Sequence, residues 1–420
     1  MNTNVRIRIL EVFLCLALVG VMAGTALAVT DVYLRAEATT LTLPNGAGGT
    51  TNVPVWGFAQ DSAFGAGDGT ISVPGPVLKM PAGETVLNIH LDNNLPEPIS
   101  LNISGQALTN NSGPVFSEPG DATVYPPGPR PAGNQTARVR SFSHETPPDN
   151  PSAVIYTYSL RPGTFLYSSG TNPAKQVQMG LYGALTIDVA PGEAYTGVDY
   201  THELVMVYSE VDPVMNAAID GGTYGPGGTI TSSLHREPRY FLINGMAYDP
   251  VAPGGLDPIA FVDGLDKVLV RVINAGYELH VPEFSNTFVT LVAEDGNPRA
   301  YPTEQYSLEM PAGKVYDVLL TPSGEGRYAI HDAALHLTNN GTAATGGMLA
   351  YYGVACVGDL NQDGGVNFGD LALLRANFGN PQCPPGTPCP GDITKDGFVN
   401  FADLAQLRAN FGASGCPVGP

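Results

Sequence analysis

Positive charge is scarce in this chain of 420 residues, which sets 19 Lys and Arg against 39 Asp and Glu for a formal net charge of −20. A phosphate-rich partner draws its affinity from Lys and Arg, so neither nucleic acid nor an anionic membrane surface is expected. Cysteine is nearly missing. Of five, Cys15 stands near the start and Cys356, Cys383, Cys389 and Cys416 near the end, which leaves residues 29–355 with no thiol for redox or nucleophilic chemistry. The G-x-S-x-G elbow, the G-x-x-x-x-G-K-[ST] phosphate loop and the H-E-x-x-H zinc-protease helix are absent as well. Two carboxylates across a cleft, as a glycosidase needs, are not excluded by spacing alone. One apolar run stands out, residues 12–24, and it is short for a membrane span.

What is abundant is glycine and proline, at 51 and 37 positions, beside 43% hydrophobic residues. That mixture suits several β-rich domains with real cores and does not suit an all-helical protein. Arg6 and Arg8 precede the apolar run and Ala26-Leu27-Ala28 follows it, the order of a secretory signal peptide over residues 1–28. The expected location is therefore extracellular. Four cysteines remaining in an exported chain favour disulfides.

Residues 359–370 read DLNQDGGVNFGD, and 33 residues further on 392–403 read DITKDGFVNFAD; each is followed by an apolar helical pattern ending in RANFG. In the first loop Asp359, Asn361, Asp363, the Gly365 carbonyl, Asn367 and Asp370 are spaced as oxygen ligands of calcium, with Gly364 at the sharp turn. The second loop offers Asp392, Thr394, Asp396, the Phe398 carbonyl, Asn400 and Asp403, and its hydroxyl at Thr394 predicts weaker binding. Position twelve is Asp where an EF-hand has Glu, and a helix follows each loop while none precedes it. That duplicated pattern resembles the type I dockerin module, which implies two calcium ions and a cohesin-like or other extracellular scaffold protein as partner.

The cysteines keep the same period. A Cys356–Cys383 bridge would have to span a helix of roughly 13 Å, against about 4.4 to 6.8 Å between Cα atoms in a disulfide. The antiparallel packing that the dockerin resemblance implies sets each loop beside the other repeat's helix end, hence Cys356 with Cys416 and Cys383 with Cys389; other symmetric pairings stay open. At loop positions ten and eleven, where dockerins carry recognition hydroxyls, stand Phe368 with Gly369 and Phe401 with Ala402. Either these phenylalanines pack inside the module or they meet a partner, with Arg375 and Arg408 as a duplicated polar contact.

Between the signal and the tail, short β-branched and aromatic runs such as ETVLNIHL, ELVMVYSEV and KVLVRVI are bounded by Gly, Pro, Asn or Asp. Stretches recur in order: MPAGETVLNI and VDGLDKVLVRV, RPGTFLYSS and SGEGRYAIHD, MGLYGALTI and GGMLAYYGV. Residues 74–105 and 162–187 resemble the first cupredoxin domain of a multicopper oxidase, and 241–296 a later domain. The expected fold is all-β: two cupredoxin-like Greek-key sandwiches, 29–195 and 196–355, then a small α-helical dockerin-like module with two calcium loops, 356–420.

The resemblance implies copper, but the positions it assigns to ligands hold other residues. Asn102, Ile103 and Ser104 stand at the first His-x-His pair, Ser168, Ser169 and Gly170 at the second, and His331, Asp332 and Ala333 at the His-Cys-His signature. Imidazoles hold an oxygen-reducing cluster and a thiolate makes a type 1 site, so bound copper is doubtful. The leading expectation is a noncatalytic scaffold. A divergent metal site at His331, Asp332 and His336 would instead make a copper-binding oxidoreductase, and the company dockerins keep suggests a component of a polysaccharide-degrading complex. His90, His144, His202, His235 and His280 read as ordinary hydrogen-bonded or exposed histidines. An oligomer is left open.

Overall fold

The computed structural model describes residues 29–119, 123–249, 260–322, 324–342, 345–379 and 389–417. The expected signal peptide lies outside them. Among the described residues no helix is long and apolar enough to cross a membrane.

Two sandwiches are built to one plan. In the first, Val29–Pro44 pairs antiparallel with Thr50–Asp61 and parallel with Val86–Asn93, which pairs antiparallel with Val154–Ser159. The facing sheet orders Leu78–Met80, Tyr182–Ile187, Gly163–Ser169 and Leu101–Ile103. In the second, His202–Val211 pairs antiparallel with Tyr240–Ile243 and parallel with Val268–Asn274, which pairs antiparallel with Val315–Leu320. Its facing sheet orders Ala260–Asp263, Leu349–Ala355, Gly326–Asp332 and Pro282–Phe284. The three sequence repeats fall on corresponding strands of the two sandwiches. The Pro- and Gly-rich stretch 113–135 contributes a short strand, Val115–Ser117, paired with Arg138–Ser141.

Strand alternation explains the first core. Leu87, Ile89 and Leu91 are buried against Phe58, Tyr156, Phe165 and Ile187, while Asn88 and His90 face outward and stay partly exposed. The corresponding strand of the second sandwich, Val268–Asn274, is buried along its whole length. Val270 and Val272 enter the second core, whereas Ile273 joins Leu43, Val55, Tyr182 and Leu242 in a cluster between the sandwiches. Two short helices, α1 (Pro173–Met179) and α2 (Pro213–Asp220), lie against the strand Thr50–Asp61 of the first sandwich. Asn216 of α2 donates to the Pro54 carbonyl at 3.0 Å.

Full burial of that strand takes Arg271 with it, at 0% exposure. Its guanidinium donates to Asp188 and Thr164 of the first sandwich and to Glu203 of its own. Asp317, buried beside it, accepts from Thr164 and Tyr195. Burial opposes the charge on Arg271, but Asp317, Glu203 and Asp188 outweigh it and raise the pKa further.

Among the described residues the tail has two helices, α3 (Phe368–Asn377) and α4 (Phe401–Ala409), each opened by a capping box, Asn367 with Asp370 and Asn400 with Asp403. Leu374 and Leu407 meet Val366, Ile393 and Val399 in a small core. Each loop bonds to the end of the other repeat's helix: Val366 N to Ala413 O at 3.0 Å, and Gly379 N to Val399 O at 2.9 Å. Lys395 Nζ lies 3.5 Å from Asp266 and ties the tail to the second sandwich.

Arg271→Leu is expected to cost about 3–5 kcal/mol, because it strands several buried carboxylates without their cation. Urea denaturation followed by the fluorescence of Trp56, the sole tryptophan, measures it.

Candidate functional site

The two tail loops repeat each other nearly atom for atom. Asp359 accepts from the main-chain N–H groups of Asp363 and Gly364 at 3.2 and 3.1 Å, and Asp392 from those of Asp396 and Gly397 at 3.2 and 2.9 Å. Gln362 and Gly364 have φ of 54° and 93°, and Lys395 and Gly397 have 59° and 85°, so both chains wind left-handed at matching positions. Asp370 accepts from the N–H groups of Leu360, Asn361 and Asn367, and Asp403 from those of Thr394 and Asn400.

These donors suit calcium. Carboxylate oxygens of Asp392, Asp396 and Asp403 lie within 4.8 Å of one another. Burial, and then the neighbouring Asp370 carboxylate, push Asp359 above the usual carboxylate range against the bond from Gly364; burial and Asp403 do the same to Asp392. A divalent cation relieves that crowding, and all ligands on offer are hard oxygens. Asn361 and Asn367 direct their amides at Asp363, and Asn367 also donates to the Gly365 carbonyl at 3.0 Å. Asn400 reaches Asp396, and Phe398 donates its N–H to Asp396 at 2.9 Å. Thr394 departs from this pattern: its hydroxyl donates to Asp403 at 3.0 Å.

A disulfide joins Cys356 and Cys416, whose Cα atoms are 5.5 Å apart. Cys389 is also disulfide-bonded. Cys383 lies outside the described residues.

On the outer face of α3 and α4 the phenylalanines are not core residues. Phe368 and Phe401 are each 76% exposed. Phe368 meets Phe411 edge-on at 5.1 Å, and Phe401 meets Phe378 in the same way at 5.1 Å. Between the pairs runs an apolar groove floored by Leu371 and Leu404, with Arg375 and Arg408 along it.

In the first sandwich Asn102 and Ser168 face each other across adjacent strands. Behind them a buried hydroxyl triangle, Ser100, Ser141 and Thr171, closes at 2.8 to 3.1 Å. Ser169 donates to Gln176 at 2.6 Å and Thr171 to Glu145 at 3.2 Å. Hydroxyls, amides and carboxylates satisfy one another there.

The histidine cluster is not composed as expected. Asp332 and His336 come together, but the second imidazole is His280 and not His331. The reason is the pleat: successive side chains point to opposite sheet faces, so buried Asp332 turns inward and His331 outward, where it is partly exposed. Leu335, at φ 67°, folds the chain back and sets His336 Nδ1 2.6 Å from Asp332 Oδ2. His280, 0% exposed, arrives from the neighbouring strand pair with Nδ1 3.2 Å from the same oxygen and Nε2 3.2 Å from Glu210 Oε2. Burial disfavours charge on His280, but its bonds to Asp332 and Glu210 prevail and raise its pKa. Burial would raise Asp332; His280, His336 and two main-chain N–H groups hold it well below the carboxylate range. Sequence spacing missed His280 because 52 residues separate it from Asp332.

The family model for multicopper oxidase matches residues 212–353, and that for the dockerin type I domain matches residues 357–412. No curated protein matches the chain. Among solved structures, the blue copper oxidase from Nitrosomonas europaea is similar with a TM-score of 0.58 and 19% identity, covering 78% of this chain and 86% of that one. The multicopper oxidase mgLAC gives 0.55 at 20% identity over 78% and 86%. The copper nitrite reductase from Nitrosomonas europaea gives 0.53 at 20% over 78% and 94%. At such identities the likeness establishes the fold. The chain thus has a multicopper-oxidase-like cupredoxin fold, and its residues 357–412 are similar to the dockerin type I domain.

Proposed function

We propose that this is a secreted, noncatalytic cupredoxin scaffold of multicopper-oxidase descent, attached to an extracellular partner through a calcium-loaded dockerin module. One observation carries the reading. The cupredoxin framework is whole, yet the positions that resemblance assigns to oxidase ligands hold Asn102, Ser104, Ser168, Gly170, Asp332 and Ala333, and keep a histidine at His331. Hydroxyl, amide and carboxylate groups supply neither the thiolate of a type 1 centre nor the imidazoles of an oxygen-reducing cluster, so oxidase copper does not fit. The hydroxyl triangle behind Ser168 supports this, since its members already satisfy one another.

Calcium fixes the tail. With two ions bound, the paired loops hold α3 and α4 antiparallel and present the Phe368–Phe411 and Phe401–Phe378 pairs on either side of the groove. Exposed aromatics flanked by arginines are what an interface core with a charged rim requires. The partner face is apolar at its centre and carries carboxylates opposite Arg375 and Arg408, as a cohesin-like protein with a matching surface would.

Copper loading of the full chain is expected to yield no oxygen-consuming turnover with phenolic donors and no intense blue band; stoichiometric copper with turnover overturns the reading. Calorimetry should detect calcium binding that Asp359→Ala and Asp392→Ala together abolish. Against a panel of purified cohesins, binding should require calcium and weaken at least tenfold, about 1.4 kcal/mol, in the Phe368→Ala/Phe401→Ala double variant. A calcium-loaded tail that binds no cohesin removes the attachment role assigned to that partner.

A further inference from the structure

Inside the second sandwich, ligand atoms from the end of the strand Gly326–Asp332, from the loop that follows it and from the connection after Val268–Asn274 converge in an arrangement that the scaffold role leaves unused. His280, Asp332 and His336 each offer a ligand atom within 4.8 Å of the others, and His280 Nδ1 and His336 Nδ1 lie 3.2 and 2.6 Å from the same oxygen, Asp332 Oδ2. We infer that His280, Asp332 and His336 form a binding site for one borderline divalent ion of the zinc class, the ion taking the place of the protons between the two Nδ1 atoms and Asp332.

The chemistry around the three ligands is that of a metal site. A ligating histidine normally gives its other ring nitrogen to a carboxylate, which fixes its tautomer and raises its basicity. His280 does so through Nε2 to Glu210. Glu210 is itself 4% exposed and held by the N–H groups of Tyr277 and Glu278. The close approach is built into the backbone: a Cβ on Gly276 would stand 1.8 Å from Glu210 Oε2. Asp332 Oδ1 is occupied by the N–H groups of Val281 and Ala334 at 2.6 and 3.0 Å, which leaves Oδ2 to the ion. His336 is stacked on Phe241 with ring centroids 4.2 Å apart, so its orientation is set from outside the cluster.

Charge and access agree. Two buried carboxylates, Glu210 and Asp332, face two imidazoles, and a divalent ion offsets the negative excess that a dry interior otherwise penalises. Two nitrogens and one oxygen suit a borderline ion, and three protein ligands leave a fourth position open. The His336 side chain is 22% exposed and marks the route in, whereas His280 and Asp332 are closed to solvent. Copper entering the same set would lack a thiolate and form a non-blue centre.

The test uses the full chain, stripped of transition metals and kept in excess calcium so that the tail loops are filled. It is incubated with zinc, desalted and measured by mass spectrometry of the metal. About one zinc per chain is expected in the wild type and in His331→Ala, with at least a tenfold loss in His336→Ala and in Asp332→Asn. A zinc-induced rise in Tm should accompany retention and vanish in His336→Ala, whose fold is checked by circular dichroism. Loss of retention in His331→Ala, no zinc on the wild type, or equal zinc on folded His336→Ala overturns the assignment. Zinc retention does not depend on the attachment role or on oxidase turnover, so each reading fails separately.

Discussion

Burial of the strand Val268–Asn274 on both faces is the constraint on which the rest of the body depends. Its parallel neighbour, His202–Val211, carries Glu203 near one end and Glu210 near the other. Glu203 pairs with Arg271 and helps to fasten the two sandwiches together, while Glu210 meets His280 in the turn that follows the buried strand. One ladder therefore holds both the junction between domains and the cluster inside the second. A cation placed in such an interior is tolerated only because carboxylates from both sandwiches surround it; the arrangement gives specificity of docking more than net stability.

The same fold accommodates other residues at the positions where the resemblance places copper ligands. The cores consist of alternating apolar residues, Leu87, Ile89 and Leu91 in one sandwich and Val270 and Val272 in the other, and none of them is a ligand position. Ligand positions sit at strand ends and turns, where a hydroxyl, an amide or a carboxylate can replace an imidazole if it finds hydrogen-bond partners. Next to those positions in the first sandwich, the hydroxyls of Ser100, Ser141 and Thr171 bond to one another. In the second, Asp332 stands where the resemblance places a thiolate and has gathered two imidazoles and two main-chain donors.

The tail obeys a different economy of structure. Its core is small, so the carboxylates proposed as calcium ligands double as caps: Asp370 and Asp403 each close a helix N-terminus. Apolar residues that a larger domain would bury are left outside. Four phenylalanines of the two repeats line one face of the helices, paired edge to face, because the inner face is already filled by Leu374 and Leu407.

By itself the sequence determined what depends on local spacing. Short β-branched and aromatic runs bounded by Gly, Pro, Asn or Asp marked the strands, the repeated D-x-[NT]-x-D-G pattern marked the candidate calcium loops, and the order of three repeated segments marked two copies of one sandwich plan. Tertiary structure decided whatever depends on elements distant in the chain. His280 replaced His331 because the pleat turns adjacent residues to opposite faces and a left-handed Leu335 brings His336 back. Phe368 and Phe401 face outward because two other leucines fill the space between the helices. Arg271 interrupts an apolar run in the sequence and is the buried link between the sandwiches, since its compensating carboxylates Asp188, Glu203 and Asp317 lie on three other strands or turns and only folding brings them to it.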